Sequence, residues 1–256
     1  MRSLSFDGLV ELYDETRSFD KGCFDSALDY IADRFPPSEY PNLFEPGIGT
    51  GRIAIPLAKR GYRITGVDVS HEMLAVLQER LTPALPILAR NADVTNLQFP
   101  SESFDLAIVV HLFYFIADWK KAADEILRVV KSGGPVILMH TGMGMEVPFL
   151  NDRYKELCSQ HGCPIKPVGS IGTSEVVDHY AANGNTVESI RDRWQWTTNI
   201  RLYTALGYIR SRAYSFTAQA SDDVHLAACR QLEAEIHEDS EVEVPNQIYL
   251  VVVRRQ

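Results

Sequence analysis

Glu45, Gly47, Gly49, Gly51 and Asp68 are the residues whose types and spacing carry chemistry most directly in this chain. The segment LFEPGIGTGR, residues 43–52, sets three glycines at alternate positions behind a short apolar run. The run reads as a strand. The glycines let the backbone turn sharply into a helix while a ligand approaches the main chain, because a Cβ there would intrude. An ordinary tight turn would look the same, and what sets this one apart is Asp68 at the end of the next apolar run. A carboxylate at that place accepts hydrogen bonds from both hydroxyls of a ribose, and it implies an adenosine without a 2′-phosphate. The glycines alone leave the cofactor open, since Gly49, Gly51 and Ala54 satisfy a dinucleotide spacing while the frame from Gly47 falls on Arg52. Glu45 discriminates. Two residues before the first glycine, it repels a pyrophosphate and favours a cofactor bearing an ammonium and a sulfonium.

Those residues need a scaffold that brings strand ends together. From 43 to 140, apolar or β-branched runs alternate with helical patterns, the signature of a parallel sheet covered by helices on both faces. The spacing predicts a strand over 42–45, a helix over 52–60 with Ile53 and Leu57 inward, Gly61 as its left-handed stop, and a strand over 62–68. Pro56 costs that helix a hydrogen bond unless it lies in the first turn. Ser70 is placed to cap a helix running through Met73, Leu74, Leu77 and Leu81. A third strand is expected at 87–89 and a fourth over FDLAIVV from Phe104. The helix beyond Asp118 repeats Trp119, Ala123, Ile126 and Val130, stops at 132–134, and leads into a fifth strand, PVILMH, ending at His140. Beyond His140 the alternation ends. A flexible loop precedes helices over 147–160 and 174–183, the second with Ser174 as its cap, and a strand lies within 186–196. Helices near 200–212 and 221–238 and a last strand over 247–253 complete the chain.

FEPGIGTGR after the first strand, GVDVSHEML after the second, NADVTNLQFPSESFDLAIVVHLFYFI around the fourth and ILRVVKSGG before the fifth form one set. With them the chain resembles the class I S-adenosylmethionine-dependent methyltransferases, particularly the small-molecule group of ubiquinone- and menaquinone-biosynthesis-type enzymes. The resemblance covers roughly residues 43–140 and is weaker in the N-terminal VELYDETR and in the C-terminal helices. It implies an α/β, Rossmann-like three-layer sandwich: a seven-stranded, mostly parallel sheet in the order 3-2-1-4-5-7-6, its last strand antiparallel, with helices on both faces and a helical lid. It also implies S-adenosyl-L-methionine as cofactor and S-adenosyl-L-homocysteine as product. By the same resemblance Glu45, Gly47, Gly49 and Gly51 serve the methionine portion and Asp68 the ribose. Val69 and Met73 pack on adenine, Asp93 accepts from its amino group with Ala92 and Val94 alongside, and His111 lines the pocket after the fourth strand. Each role has a plainer competitor: Asp93 starting a turn before Asn96, Met73 in the helix core, His111 as a structural histidine. Tyr13 and Arg17, one helical turn apart, could close over the cofactor or simply face solvent.

The reading is of one domain over 1–256, with N-terminal helices in 1–40, a cofactor-binding core over 41–140 and an acceptor and lid region over 141–256. Methyl transfer needs an in-line nucleophile more than a covalent intermediate. If the acceptor is a hydroxyl or phenol, His111 or His140 is the candidate base, since an unperturbed histidine titrates near about 6.5. The expected partner is a small-molecule acceptor. A net charge of -9, from 34 acidic against 25 basic residues, argues against a nucleic-acid footprint. The longest apolar run falls short of the roughly 18 residues of a membrane span. Four scattered cysteines suggest a reducing compartment, and with no signal-peptide stretch the expectation is a cytoplasmic monomer or homodimer. Cys158, His161 and Cys163 lack the paired spacing of a zinc site, so no metal is expected. Two other readings stay in view: a non-catalytic S-adenosylmethionine-binding sensor or partner subunit, which keeps the same glycines and carboxylates, and an NAD-dependent oxidoreductase, which Glu45 disfavours.

Overall fold

A computed structural model describes residues 19–142 and 144–255. Seven strands form one sheet: β1 (Asn42–Pro46), β2 (Arg63–Asp68), β3 (Ile87–Asn91), β4 (Leu106–Val110), β5 (Pro135–His140), β6 (Thr186–Arg201) and β7 (Glu241–Arg254). Their order is β3-β2-β1-β4-β5-β7-β6, the order that the family resemblance implies. Strand β1 pairs in parallel with both β2 and β4, β2 with β3, and β4 with β5, whereas β7 runs antiparallel to β5 and β6. The chain therefore leaves β1 toward one edge and returns at β4 on its other side. The crevice beyond the carboxyl ends of β1 and β4 is where such a sheet binds ligands.

The helices among the described residues are α1 (Lys21–Arg34), α2 (Ala54–Lys59), α3 (His71–Arg80), α4 (Trp119–Val129), α5 (Pro148–Gln160), α6 (Thr173–Ala182), α7 (Leu202–Arg210) and α8 (Asp222–Glu235). Strands β4 and β5 are almost wholly buried because both sheet faces are covered. Leu43, Ile64, Leu106, Ile108 and Ile137 face a core shared with α1, α2 and α3, and their neighbours Phe44, Val67, Ala107, Val109 and Val136 face α4 and α6. Helix α1 joins the first core through Phe24, Ala27, Leu28 and Ile31, one stripe at helical spacing, and Asp20 caps it by accepting from Cys23 N at 2.8 Å. Burying Phe24, Leu28 and Ile31 stabilises the fold by about 1.5–3 kcal/mol each. A third core lies beyond the sheet, where Leu150, Tyr154, Leu206, Ile209 and Leu232 of α5, α7 and α8 pack around Ile200 and Val244.

Several boundaries differ from the sequence reading for physical reasons. The helix expected over 52–60 begins at Ala54, because the turn after Gly51 takes up Arg52 and Ile53; Pro56 then falls in the first turn and costs nothing. Ser70 does cap α3, accepting from Met73 N at 3.1 Å. Ser174 is not a cap: α6 starts at Thr173 with Gly172 before it. Ile200 and Arg201 belong to β6 rather than to a helix, and β7 starts at Glu241 instead of Gln247. In EVEVPN the alternate Val242 and Val244 cover the third core while the glutamates face water, so the segment is a one-sided strand whose polarity hides it from a search for apolar runs.

Candidate functional site

The turn after β1 is held from below and open above. Gly47 N and Ile48 N both donate to the Val67 carbonyl, at 2.7 and 3.0 Å, which fastens the turn to β2. Gly47, Gly49 and Gly51 all adopt left-handed backbone, with φ of 70°, 53° and 80°, so the alternating glycines are a conformational requirement. Asp68, at the end of β2, organises the loop tip: Oδ2 accepts from Gly49 N and Oδ1 from Ser70 N, both at 2.9 Å. Two backbone donors thus fix the orientation of a group whose oxygens can each accept more than one hydrogen bond.

Glu45 is the unusual member of this site. It is 3% exposed, and its Oε2 has no hydrogen-bond partner. Burial holds its carboxyl well above the usual carboxylate range; the Arg52 guanidinium pulls the other way and the Asp68 charge adds to the rise. The Glu45 carboxyl lines a cleft of about 300 Å3 together with Gly47, Gly49, Thr50, Arg52 and Val110. A buried carboxyl oxygen left without a partner costs about 1–3 kcal/mol, a cost that a hydrogen-bond donor on a cationic ligand would remove. The residues present therefore fit an adenosine cofactor with a cationic amino-acid tail: the cradle is bare backbone, with the carboxyl groups of Glu45 and Asp68 beside it.

The other sequence-derived candidates fall in three groups. Val69 is 48% exposed beside Asp68, whereas Met73, in the first turn of α3, is 3% exposed. Ala92 is half-buried, Val94 is packed in the second core, and Asp93 is exposed, with Oδ1 accepting from Thr95 N at 2.8 Å. The turn reading of Asp93 is thus realised, and its second oxygen stays available. That loop is tied to α4: Glu125 accepts from Leu97 N, and Arg128 donates to the carbonyls of Leu97 and Phe99. Tyr13 and Arg17 lie outside the described residues. Of the residues set aside earlier, Cys158 is buried in the third core and His161 meets Gln231 at 3.1 Å.

His111 and His140 come together, with ring centroids 5.6 Å apart. His111 follows β4 with φ of 50°, and its Nε2 accepts from Thr141 N at 3.3 Å and meets Thr141 Oγ1 at 2.6 Å. His140 Nε2 lies 2.6 Å from Thr173 Oγ1, which in turn is 2.8 Å from the Tyr249 hydroxyl. Burial, and then the Arg191 charge, push the His140 imidazole down to about 4, so it is neutral at physiological pH. Thr173, Tyr249, Tyr114 and Ser170 were missed by the sequence reading. Tyr114 follows β4, Ser170 and Thr173 come from the start of α6 and the loop before it, and Tyr249 comes from β7, segments that no sequence motif joins.

A glycine cradle and two carboxylates at the switch point of a 3-2-1-4-5-7-6 sheet define a Rossmann-like nucleoside-binding site. Residues 44–138 match the methyltransferase domain family. A phosphatidylethanolamine N-methyltransferase of Cereibacter sphaeroides is 33% identical over 103 residues, 38% of this chain and 49% of that protein. An uncharacterized protein of Methanocaldococcus jannaschii is 30% identical over 173 residues, 68% of this chain and 77% of its own length. In fold, the chain is similar to the YcgJ protein of Bacillus subtilis, with a TM-score of 0.60 at 18% identity, covering 90% of this chain and 99% of that one. Over residues 44–138, then, the chain carries a methyltransferase domain, on a sheet of the methyltransferase fold. It spans about half the length of several curated relatives it matches.

Proposed function

We propose that this chain transfers a methyl group from S-adenosylmethionine to a small organic acceptor by in-line displacement. The observation that carries the reading is Glu45, a buried carboxyl group with an unsatisfied oxygen in a cleft walled by glycine backbone. Glu45 and the side-chain-free face of the Gly47, Gly49 and Gly51 turn hold the methionine portion, and Asp68 accepts from the ribose hydroxyls. Val69 offers exposed apolar surface to adenine, with the free Asp93 oxygen at its edge. When bound, the cofactor supplies an electrophilic methyl group on a sulfonium.

The protein's share of such a reaction is orientation and exclusion of water, effects that supply roughly 7–11 kcal/mol when geometry is good. His140 orients rather than stores a proton: an imidazole held at about 4 is a weak base but a sound hydrogen-bond partner. His111, fixed by Thr141, forms the wall between cofactor and acceptor. The region after His140 selects the acceptor. Calorimetric titration of the folded protein with S-adenosylmethionine tests the first half of the proposal, which fails if no heat of binding is seen. Transfer of a labelled methyl group to a member of a metabolite panel tests the second half, separating turnover from binding alone.

A further inference from the structure

Polar side chains outside the cofactor cleft gather in a second cavity of about 260 Å3, lined by His111, Tyr114, His140, Ser170 and Thr173 above apolar residues of β4, β5 and α6. It adjoins the first. Val110 lines the cofactor cleft while His111 and Leu112, next in the chain, line this cavity. The Leu112 side chain also closes on the glycine turn, its Cδ1 only 2.8 Å from where a Cβ on Gly47 would stand. Loop 168–172 roofs the cavity and is latched: Gly169 N donates to the Tyr114 carbonyl and Ser170 N to the Phe113 carbonyl, both at 3.0 Å. Gly169 is required there, because a Cβ would lie 1.9 Å from the Phe113 carbonyl oxygen.

The lining has a definite chemistry. Ser170 is 3% exposed and its hydroxyl has no hydrogen-bond partner, although it can both donate and accept. The Thr173 hydroxyl is saturated by His140, by Tyr249 and, at 3.4 Å, by Tyr114, so it fixes their positions. Among the described residues no carboxylate lines the cavity. The cation nearby, the Arg191 guanidinium, sits 4.3 Å over the ring of Tyr249, the ring against which His140 stacks. Desolvating an ammonium here would leave it without an anion and next to a like charge.

We propose that this cavity anchors the methyl acceptor through a neutral oxygen function, a hydroxyl or carbonyl paired with Ser170, and excludes an ammonium group. The assignment of the ligand as methyl acceptor rests on the methyltransferase reading; the selectivity of the cavity does not. Neutral His140 adds to it, since an uncharged imidazole offers no repulsion to a hydroxyl and no anion to an amine.

The test uses the full chain labelled with 15N at histidine, titrated with phenol and with benzylamine at pH 7, with S-adenosylhomocysteine binding followed by calorimetry on the same samples. Phenol is expected to shift the His140 and His111 resonances saturably, and benzylamine to leave them in place over the same range. Ser170→Ala is expected to weaken phenol about fivefold, the loss of one hydrogen bond, with S-adenosylhomocysteine binding intact. Thr173→Val, which frees His140 from its anchor, provides a second variant with the same direction. Benzylamine binding as tightly as phenol, or phenol affinity unchanged in both variants, overturns the proposal. Failure of S-adenosylhomocysteine to bind while phenol still does would overturn the cofactor reading instead.

Discussion

The rings of His140 and Tyr249 stack, 4.4 Å between centroids and 7° from parallel, and both meet the hydroxyl of Thr173. The register explains the pairing: His140 ends β5 directly opposite Tyr249 on antiparallel β7. The last strand therefore brings an aromatic wall to the end of the parallel core, and α6 delivers Thr173 to lock it. Because His140 is neutral in this stack, protonating it disturbs three elements at once.

The stack predicts a pH-dependent stability. His140 is held near 4 in the folded protein, below the ordinary 6.5 of an exposed histidine, so between those values the unfolded chain takes up a proton that the folded one refuses. Stability is full above about 6.5 and falls as the pH drops toward 4; at ~1.4 kcal/mol per pH unit the loss reaches about 3 kcal/mol. His225, also pushed down by burial and hydrogen-bonded to Tyr154, adds a loss of the same sign. Urea unfolding across pH 4–8 measures the slope. His140→Gln should flatten the His140 share, and an unchanged slope in that variant would show that the imidazole titrates normally.

Glu45 predicts proton release on cofactor binding. Burial favours its neutral form in the free protein, and an ammonium beside it favours the carboxylate, so binding expels a proton and affinity rises with pH until Glu45 ionises unaided. Calorimetry in buffers of different ionisation enthalpy counts the proton. Glu45→Gln should release none and bind S-adenosylmethionine at least about tenfold more weakly, the order expected when a charge-assisted hydrogen bond is lost. Equal proton release by the variant would move the titrating group elsewhere.

Asp68 predicts a loss on two counts. Asp68→Ala removes the acceptor for the ribose and also the partner of Gly49 N and Ser70 N, loosening the glycine turn itself. We expect cofactor affinity to fall by about 1.5–3 kcal/mol, the range for hydrogen bonds to a charged group. Unchanged affinity would place the ribose at another carboxylate.

What the sequence made legible follows from how local each feature is. Glu45, the glycines, Asp68 and Ser70 lie within two strand-turn-helix units whose spacing is fixed by backbone geometry, so their arrangement could be read in advance. Asp93 was legible as to place but not as to partner, because a turn residue and a ligand acceptor share one pattern. The second cavity was half-legible: His111 and His140 end apolar strands, but Ser170, Thr173 and Tyr249 arrive through a loop, a helix start and an antiparallel strand. Nothing in their own neighbourhoods announces that convergence. The polar first half of β7 was hidden for a related reason, since only the tertiary cover of the third core makes Val242 and Val244 an inward face.

Gly66 predicts a steric coupling between the sheet and the cofactor turn. It lies in β2 directly beside Glu45 of β1, with ordinary strand backbone, and the side chain of Ile48 rests on it. A Cβ at 66 would stand 2.3 Å from Ile48 Cδ1 and 2.7 Å from Ile48 Cβ, so Ile48 must move, and it carries Gly47 and Gly49 on either side. Gly66→Ala should therefore cost about 1–3 kcal/mol of stability, the usual cost of overpacking, and weaken S-adenosylmethionine by a larger factor than any surface substitution. Since the fault is contact rather than backbone strain, Ile48→Ala in the Gly66→Ala background should recover part of the lost affinity by making room. Denaturant unfolding and calorimetry on the four proteins of this double-mutant cycle give the coupling. Strictly additive effects would mean that Ile48 does not transmit the displacement and that the turn is positioned by its hydrogen bonds to Val67 and Asp68 alone.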